Sequence, residues 1–255
     1  MSMKYAICQV SVAPLRSEAR DSSEMVSQIL FGEKLMITEE LEKWTKVQLA
    51  FDGYEGWVDP KQIVEVSEEE YNRNITEKFA INPYNHALEN NLPMTLTIGA
   101  EVRSLCESKI KIGPKCFEYF GVYTSGKKSK DQLVEIAKAY LNVPYLWGGK
   151  SSFGIDCSGL TQQVYKIGGY TIPRDAYQQA EMGEVLSFVE EAEPGDLAFF
   201  DNAEGRIIHV GIMCGNGKIL HAHGKVRIDP IDTNGIFNTD SQKYSHKLRC
   251  IRKLI

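Results

Sequence analysis

The sequence predicts an α+β protein in which one or two small β-barrels precede a larger domain of mixed helix and sheet. Three observations carry this. Residues 1–66 are short apolar runs separated by turn residues. After residue 129 the period changes, and Leu133, Ile136, Ala137, Tyr140 and Leu141 share one helical face. A glycine-rich stretch around 148–154 then leads into a second helical pattern, followed by apolar strands on either side of Gly215-Asn-Gly217. Bulk composition agrees: of 255 residues, 43% are hydrophobic and 25% charged, which is ordinary globular usage. No apolar run approaches the ~18 residues of a membrane span. The net charge is −5 and no basic stripe is present, which sets nucleic-acid binding aside.

In the first segment, 1–66, strand candidates lie at 6–12, 25–31, 34–39, 45–50 and 56–59. Turns are expected at Ala13-Pro14, Phe31-Gly32 and Asp52-Gly53. So many strands in so short a stretch suggest a small barrel, because closing the sheet removes its exposed edges. Trp44 and Trp57 are expected in its core. The stretches Val12-Ala-Pro-Leu-Arg16, Ser23-Glu-Met-Val-Ser-Gln28, Leu30-Phe-Gly-Glu33, Trp44-Thr-Lys-Val47 and Gly53-Tyr-Glu-Gly-Trp-Val58 together resemble a bacterial SH3 (SH3b) domain. Residues 67–79 are polar and predict a linker or short surface helix. Strands are expected again at 94–98, 101–105 and 117–122. Segment 67–127 is therefore read as a linker plus a second, degenerate SH3b-like β segment, with an irregular β extension of the next domain as the alternative. In the third segment, 128–255, Ser129 followed by Gln132 makes a capping box at a helix start, and that helix must stop before Pro144.

The densest chemistry lies in Pro144-Tyr-Leu-Trp-Gly-Gly-Lys-Ser-Ser-Phe-Gly-Ile-Asp-Cys-Ser-Gly-Leu160. Leu160, Val164, Tyr165 and Ile167 recur at helical spacing, so a helix is expected to start near Asp156–Cys157. A thiol at a helix start feels the positive end of the helix dipole and neighbouring N–H groups, which can lower its pKa from ~8.5 toward ~3.5–7.5. The same N–H groups suit an oxyanion. An unpaired cysteine is ordinarily a small buried hydrophobe. That reading serves for Cys8, Cys106, Cys116, Cys214 and Cys250, while the flanks of Cys157 mark it as a nucleophile.

A thiol nucleophile needs a base and a group to orient that base. Of the five histidines, His209 and His221 lie on two apolar strands around the Gly215-Asn-Gly217 turn. A two-residue Asn216-Gly217 turn would pair Gly215 with Lys218 and put them on opposite faces. A three-residue loop with a bulge instead pairs Cys214 with Lys218, sets His221 opposite Gly211 and leaves His209 on the same face, about 7 Å away diagonally. The three-residue loop is expected. His223 shares that face by parity, so a zinc site of His209, His221 and His223 is an alternative, but it leaves the Asp-Cys-Ser-Gly segment unexplained. His86 and His246 read as surface residues. The stretch 229–255 is expected to close the sheet and is assigned no chemistry.

Asp156-Cys-Ser-Gly159, Ile172-Pro-Arg-Asp175 with Gln178, Pro194-Gly-Asp-Leu197, His209-Val-Gly-Ile212 and Gly217-Lys-Ile-Leu-His-Ala222 resemble, in that order, the NlpC/P60 family of cell-wall cysteine peptidases. The resemblance implies a reduced papain-like α+β domain over 128–255. With the SH3b segment ahead of it, the chain looks like a γ-D-glutamyl-L-diamino acid endopeptidase. Such enzymes hydrolyse the bond between γ-linked D-glutamate and the diamino acid of peptidoglycan stem peptides. Carried across by motif, Cys157 would be the nucleophile, His209 the base and His221 the third polar residue that holds His209, with no metal or cofactor required.

The resemblance also implies a partner, a peptidoglycan-derived peptide whose free N-terminal L-alanine is recognised. Tyr145, Asp156, Ser158 and Asp175 would contribute from the catalytic domain, and Glu24 and Tyr54 from the first barrel. Ala176 stands where relatives can carry serine. Simpler structural roles remain open: Asp156 and Ser158 as helix caps, Asp175 as a cap or as the partner of Arg174, Glu24 as a solvated strand residue, and Tyr54 as a barrel aromatic. Two other functions compete. One is hydrolysis of intact wall polymer anchored by the barrels, against which the acid excess of the first barrel speaks. The other is a non-catalytic wall- or peptide-binding protein. The six cysteines form no C-x-x-C pair, which fits reduced thiols, and Gln9 and Ser11 interrupt the apolar amino terminus, so no signal peptide is read. A cytoplasmic protein is expected.

Overall fold

The computed structural model describes residues 3–73 and 76–255. They divide into two compact units, one running up to Gly126 and including Trp147–Phe153, the other comprising Lys127–Leu146 and Gly154–Ile255.

The first unit opens with β1 (Lys4–Cys8), β2 (Val12–Arg16), β3 (Met25–Leu30), β4 (Lys34–Glu40), β5 (Thr45–Leu49), β6 (Glu55–Val58) and β7 (Ile63–Val66). These strands form one antiparallel barrel-like sheet in the order β3-β2-β6-β5-β4-β1-β7. The single strand expected at 6–12 is two strands. Pro14, expected in a turn, lies inside β2 opposite Gln28. It is tolerated there because β2 meets β6 only at Arg16 and Trp57, so a missing N–H leaves no long ladder unpaired. The barrel core is aliphatic, built on Leu15, Ile29, Leu35, Val47 and Val58. Trp44 and Trp57 are only half-buried, not core residues.

Ser67 caps α1 (Glu68–Asn72), accepting a hydrogen bond from the Glu70 amide at 3.2 Å. Beyond it come β8 (Lys78–Ala80), β9 (Asn85–Glu89), β10 (Leu92–Leu96), β11 (Lys109–Ile112), β12 (Lys115–Phe120) and β13 (Tyr123–Ser125). They form a sheet β10-β9-β12-β11 and a β13-β8 ladder. The strand expected at 101–105 is only an isolated bridge between Phe79 and Glu101. This part shares a core with the barrel, where Phe31 meets Phe117 edge-on at 5.0 Å. Residues 147–153, inside the stretch expected as one continuous domain, pack in this first unit. They include β14 (Lys150–Ser151) and a buried ion pair, Lys150 Nζ to Glu33 Oε1 at 2.9 Å. Gly148 has φ +74°, and a Cβ there would lie 2.1 Å from the Met25 carbonyl oxygen, so the position admits only glycine.

The second unit starts with α2 (Lys130–Lys138), whose Ser129–Gln132 capping box has both of its hydrogen bonds. After β15 (Gly154–Ile155) comes α3 (Cys157–Ile167), buried along its whole length. Then follow α4 (Ala176–Gln179), β16 (Glu184–Leu186), β17 (Leu197–Asp201), β18 (Ile207–Gly215), β19 (Lys218–His223), β20 (Lys225–Asp232), β21 (Gly235–Asn238) and β22 (Lys243–Lys253). The sheet order is β16-β22-β17-β18-β19-β20-β21, and β21 also pairs with β22, so six strands close on themselves. α3 packs against β18 and β19, bringing the start of the helix to the histidine strands. Among the described residues no helix is long and apolar enough to cross a membrane.

Candidate active site

Asp156 sets the thiol in place. Its extended backbone precedes α3, and its Oδ1 accepts the Gly159 amide at 2.6 Å, so the helix begins at Cys157. Cys157 is 7% exposed. Burial pushes its thiol up to about 12, and the Asp156 charge adds to this; backbone groups at Val210 and Ser158 and the Arg174 charge oppose it. The expected lowering by the helix start is therefore overridden, because desolvating a thiolate outweighs a few oriented dipoles. At rest the group is a protonated thiol.

The two histidines meet on one face. Gly211 pairs with His221, as the favoured reading required, but the turn differs from it. Gly215 pairs with Lys218 across a two-residue Asn216-Gly217 turn, and Cys214 is the bulged residue. Both turn residues have positive φ, 52° and 64°, which is why Asn-Gly closes it. The bulge achieves the same change of face that a longer loop would.

His209 Nε2 lies 2.9 Å from His221 Nδ1, and His221 Nε2 lies 3.1 Å from Asp229 Oδ2. The direction of these bonds follows from Asp229. Burial alone would raise its pKa, yet hydrogen bonds from His221 and Arg227 hold it well below the usual carboxylate range. An ionised carboxylate only accepts, so His221 Nε2 carries a proton and its Nδ1 is the acceptor. His209 Nε2 must then donate, which leaves His209 Nδ1 as a free lone pair, the form a general base requires. Arg227 fixes the carboxylate from Nε at 2.6 Å and Nη2 at 2.9 Å, and Thr239 Oγ1 donates to Oδ1 at 3.2 Å. Burial lowers the pKa of both imidazoles, for His209 with help from the charges of His246, His221 and His223. The resting groups are thus a protonated thiol and neutral imidazoles.

Asp229 and its partners were not anticipated, and neither was His246. Far from being a surface residue, His246 stacks on His209 with ring centroids 4.1 Å apart. Its pKa falls to about 4, first through burial and then through the neighbouring histidines. The ligand atoms of His209, His221 and His246 all lie within 4.8 Å of one another, so the imidazole group able to hold a metal includes His246 rather than His223.

The remaining expected site residues divide. Asp156 and Ser158 are brought together by Arg174, a buried guanidinium that donates to Asp156 Oδ1 at 3.0 Å, to Oδ2 at 2.6 Å and to Ser158 Oγ at 2.9 Å. Arg174 therefore pairs with Asp156. Asp175 stands at the N-cap position of α4, where its amide donates to Gln178 Oε1 at 3.3 Å. Tyr145 is 36% exposed. Its phenol is pushed up to about 12 by burial and then by the charges of Cys157 and Asp156. Glu24 and Tyr54 lie in the first unit. Glu24 Oε1 accepts the Trp147 indole N–H at 2.6 Å, and Tyr54 packs partly buried on the barrel core.

Both parts of the chain have known relatives. Residues 142–244 match the NlpC/P60 family, and residues 15–63 match the bacterial dipeptidyl-peptidase Sh3 domain. A γ-D-glutamyl-L-lysine dipeptidyl-peptidase of Bacillus subtilis (strain 168) is 31% identical over 77% of this chain and 71% of its own length. One of the same name from Bacillus cereus is 29% identical over 84% and 73%. The crystal structure of an NlpC/P60 family protein from Bacillus cereus superposes with a TM-score of 0.84 over 98% of this chain and 99% of its own, at 23% identity, and so shares the fold.

Proposed function

The chain belongs to the NlpC/P60 family of cysteine peptidases, and from that premise we propose that it hydrolyses the bond between γ-linked D-glutamate and the diamino acid of peptidoglycan stem peptides, requiring a free N-terminal L-alanine. The observation that carries the chemistry is the ordered chain Asp229–His221–His209, which leaves one lone pair on His209 Nδ1. The bond assignment is supported by the relatives, which are named for the γ-D-glutamyl-L-lysine linkage.

In this mechanism Cys157 Sγ attacks the γ-carbonyl carbon while its proton passes to His209 Nδ1. Proton transfer accompanies attack, since the resting thiol is neutral. The imidazolium is stabilised through His221 by Asp229, then gives its proton to the departing amine as the C–N bond breaks. Water attacks the thioester, loses a proton to His209, and the carboxylate product leaves the restored thiol. Gly159 and Leu160 spend their amides on Asp156, so the first-turn N–H groups left near the oxyanion are those of Cys157 and Ser158.

For the alanine amine, Asp156 supplies the charge. Arg174 holds its carboxylate in place by donating to both oxygens, and Ser158, Tyr145 and Asp175 provide neighbouring polar groups. For Glu24 and Tyr54 only the sequence resemblance supports a part in amine recognition. The test compares L-Ala-γ-D-Glu-diamino acid peptides, free and N-acetylated, by mass spectrometry. Losing one charge-assisted hydrogen bond costs about 1.5–3 kcal/mol, so acetylation should lower kcat/KM roughly tenfold to over a hundredfold. Equal cleavage of both forms would refute the amine requirement, and cleavage that survives Cys157→Ala would refute the nucleophile.

A further inference from the structure

Of the three imidazoles whose ligand atoms lie within 4.8 Å of one another, His246 is the one that the peptidase chemistry does not use. We propose that His209, His221 and His246 form a binding site for a borderline transition-metal ion of the Zn²⁺ or Cu²⁺ class, and that an ion bound there switches the peptidase off.

The donors suit such an ion. The three rings present nitrogens that all lie within 4.8 Å of one another. His209 Nε2 and His221 Nδ1 are 2.9 Å apart, while two imidazole nitrogens sharing a tetrahedral ion at ~2.0–2.1 Å stand about 3.4 Å apart. A spreading of about half an ångström fits that pair, and His246 must turn out of its stack on His209 to aim its lone pair at the same ion. It sits half-buried on β22. The outer partners are those a metal-binding imidazole requires. His221 Nε2 is held by Asp229, leaving Nδ1 for the cluster, and His246 Nδ1 is held by Ser245 Oγ at 2.9 Å. An all-imidazole donor set selects Zn²⁺, Cu²⁺, Ni²⁺ or Co²⁺ and rejects Ca²⁺ and Mg²⁺, which want oxygen ligands.

Binding and catalysis exclude each other for a reason of proton placement. His209 Nε2 donates to His221 Nδ1 in the peptidase arrangement, so neither nitrogen can share an ion until the Nε2 proton leaves. The neutral ring keeps one proton by moving it to Nδ1. That is the atom that must accept the thiol proton, so the metal-bound ring is no longer a base. This consequence rests on the proposed peptidase mechanism; the binding itself does not.

The deciding experiment is Zn²⁺ calorimetry and Co²⁺ absorption on the full chain carrying Cys157→Ala, which removes the thiolate as a competing ligand. One ion per chain is expected, with visible Co²⁺ bands. Adding His246→Phe, which keeps a ring stacked on His209, or His246→Gln should weaken binding at least tenfold. With the thiol intact, Zn²⁺ should abolish peptide cleavage and a chelator restore it. Loss of binding in Cys157→Ala, or undiminished affinity in both His246 variants, overturns the site. Were no cleavage of any peptide detected, the peptidase reading would fall while calorimetry still decided the metal site.

Discussion

Replacing Asp229 by asparagine changes one atom and should disable the base two residues of the relay away. Oδ1 of Asp229 receives hydrogen bonds from Arg227 Nη2, the Thr239 amide and Thr239 Oγ1, while Oδ2 receives Arg227 Nε and His221 Nε2. An asparagine keeps its oxygen where three donors converge and turns its NH₂ toward His221. His221 must then accept at Nε2, carry its proton on Nδ1 and donate to His209 Nε2, which drives the His209 proton onto Nδ1. The base is blocked by its own hydrogen. Regaining the reactive tautomer leaves two buried donors facing each other, at about 1–3 kcal/mol each, or roughly thirtyfold to more than ten thousandfold in rate. The loss should fall on kcat with KM unchanged, since Asp229 lies behind His221. Asp229→Ala imposes no tautomer, so it should retain more kcat while losing more Tm, because it strips Arg227 of a buried partner. Steady-state kinetics on the stem peptide and imidazole ¹⁵N shifts of His209 report both effects. Higher kcat in the asparagine variant than in the alanine variant, or a loss confined to KM, would refute the relay.

Other outcomes follow from neighbouring contacts. A Cβ on Gly211 would lie 2.7 Å from Ile219 Cδ1 and 3.0 Å from His221 Cβ, so Gly211→Ala should displace His221, lowering kcat and costing about 1–3 kcal/mol of stability by urea unfolding. Arg174→Met strands the nearly buried Asp156 carboxylate and should cost about 3–5 kcal/mol, most of it recovered when Asp156→Asn is added; a double variant no more stable than the single one would count against the pair. With the Cys157 thiol pushed up to about 12, iodoacetamide alkylation of the free enzyme should rise about tenfold per pH unit from 6 to 9. A plateau at neutral pH would instead reveal a resting thiolate.

What the sequence made legible was local. The capping box at Ser129, the helix start at Cys157 and the common face of His209 and His221 depend on residues a few positions apart or on one hairpin. What it concealed depends on long-range pairing. Arg174 reaches Asp156 across 18 residues, and His246 arrives on β22 only because that strand pairs with both β17 and β21. Pro14 and the aliphatic barrel core likewise reflect which strand lies beside which, information that local propensity does not contain.

Asp229 is the instructive case, because its signal was present. Gly224 has φ +71° and joins β19 to β20 so tightly that His223 pairs with Lys225. From that turn every partner follows: His221 faces Arg227, Ile219 faces Asp229, and odd-numbered residues of both strands share a face. Reading Gly224 as a hairpin would have put a carboxylate and a guanidinium beside the orienting histidine. The relay is therefore a property of two successive turns. The bulge at Cys214 sets His209 and His221 on one face, and Gly224 brings Asp229 to the same face. Inserting one residue at either turn would reverse the face of the strand beyond it. Insertion after Gly224 should thus abolish kcat while leaving Cys157 in place on its helix, whereas an equal insertion in the exposed turn at Glu204 and Gly205 should be tolerated. Similar losses at both places would mean that the sheet, rather than the register of its turns, sets the chemistry.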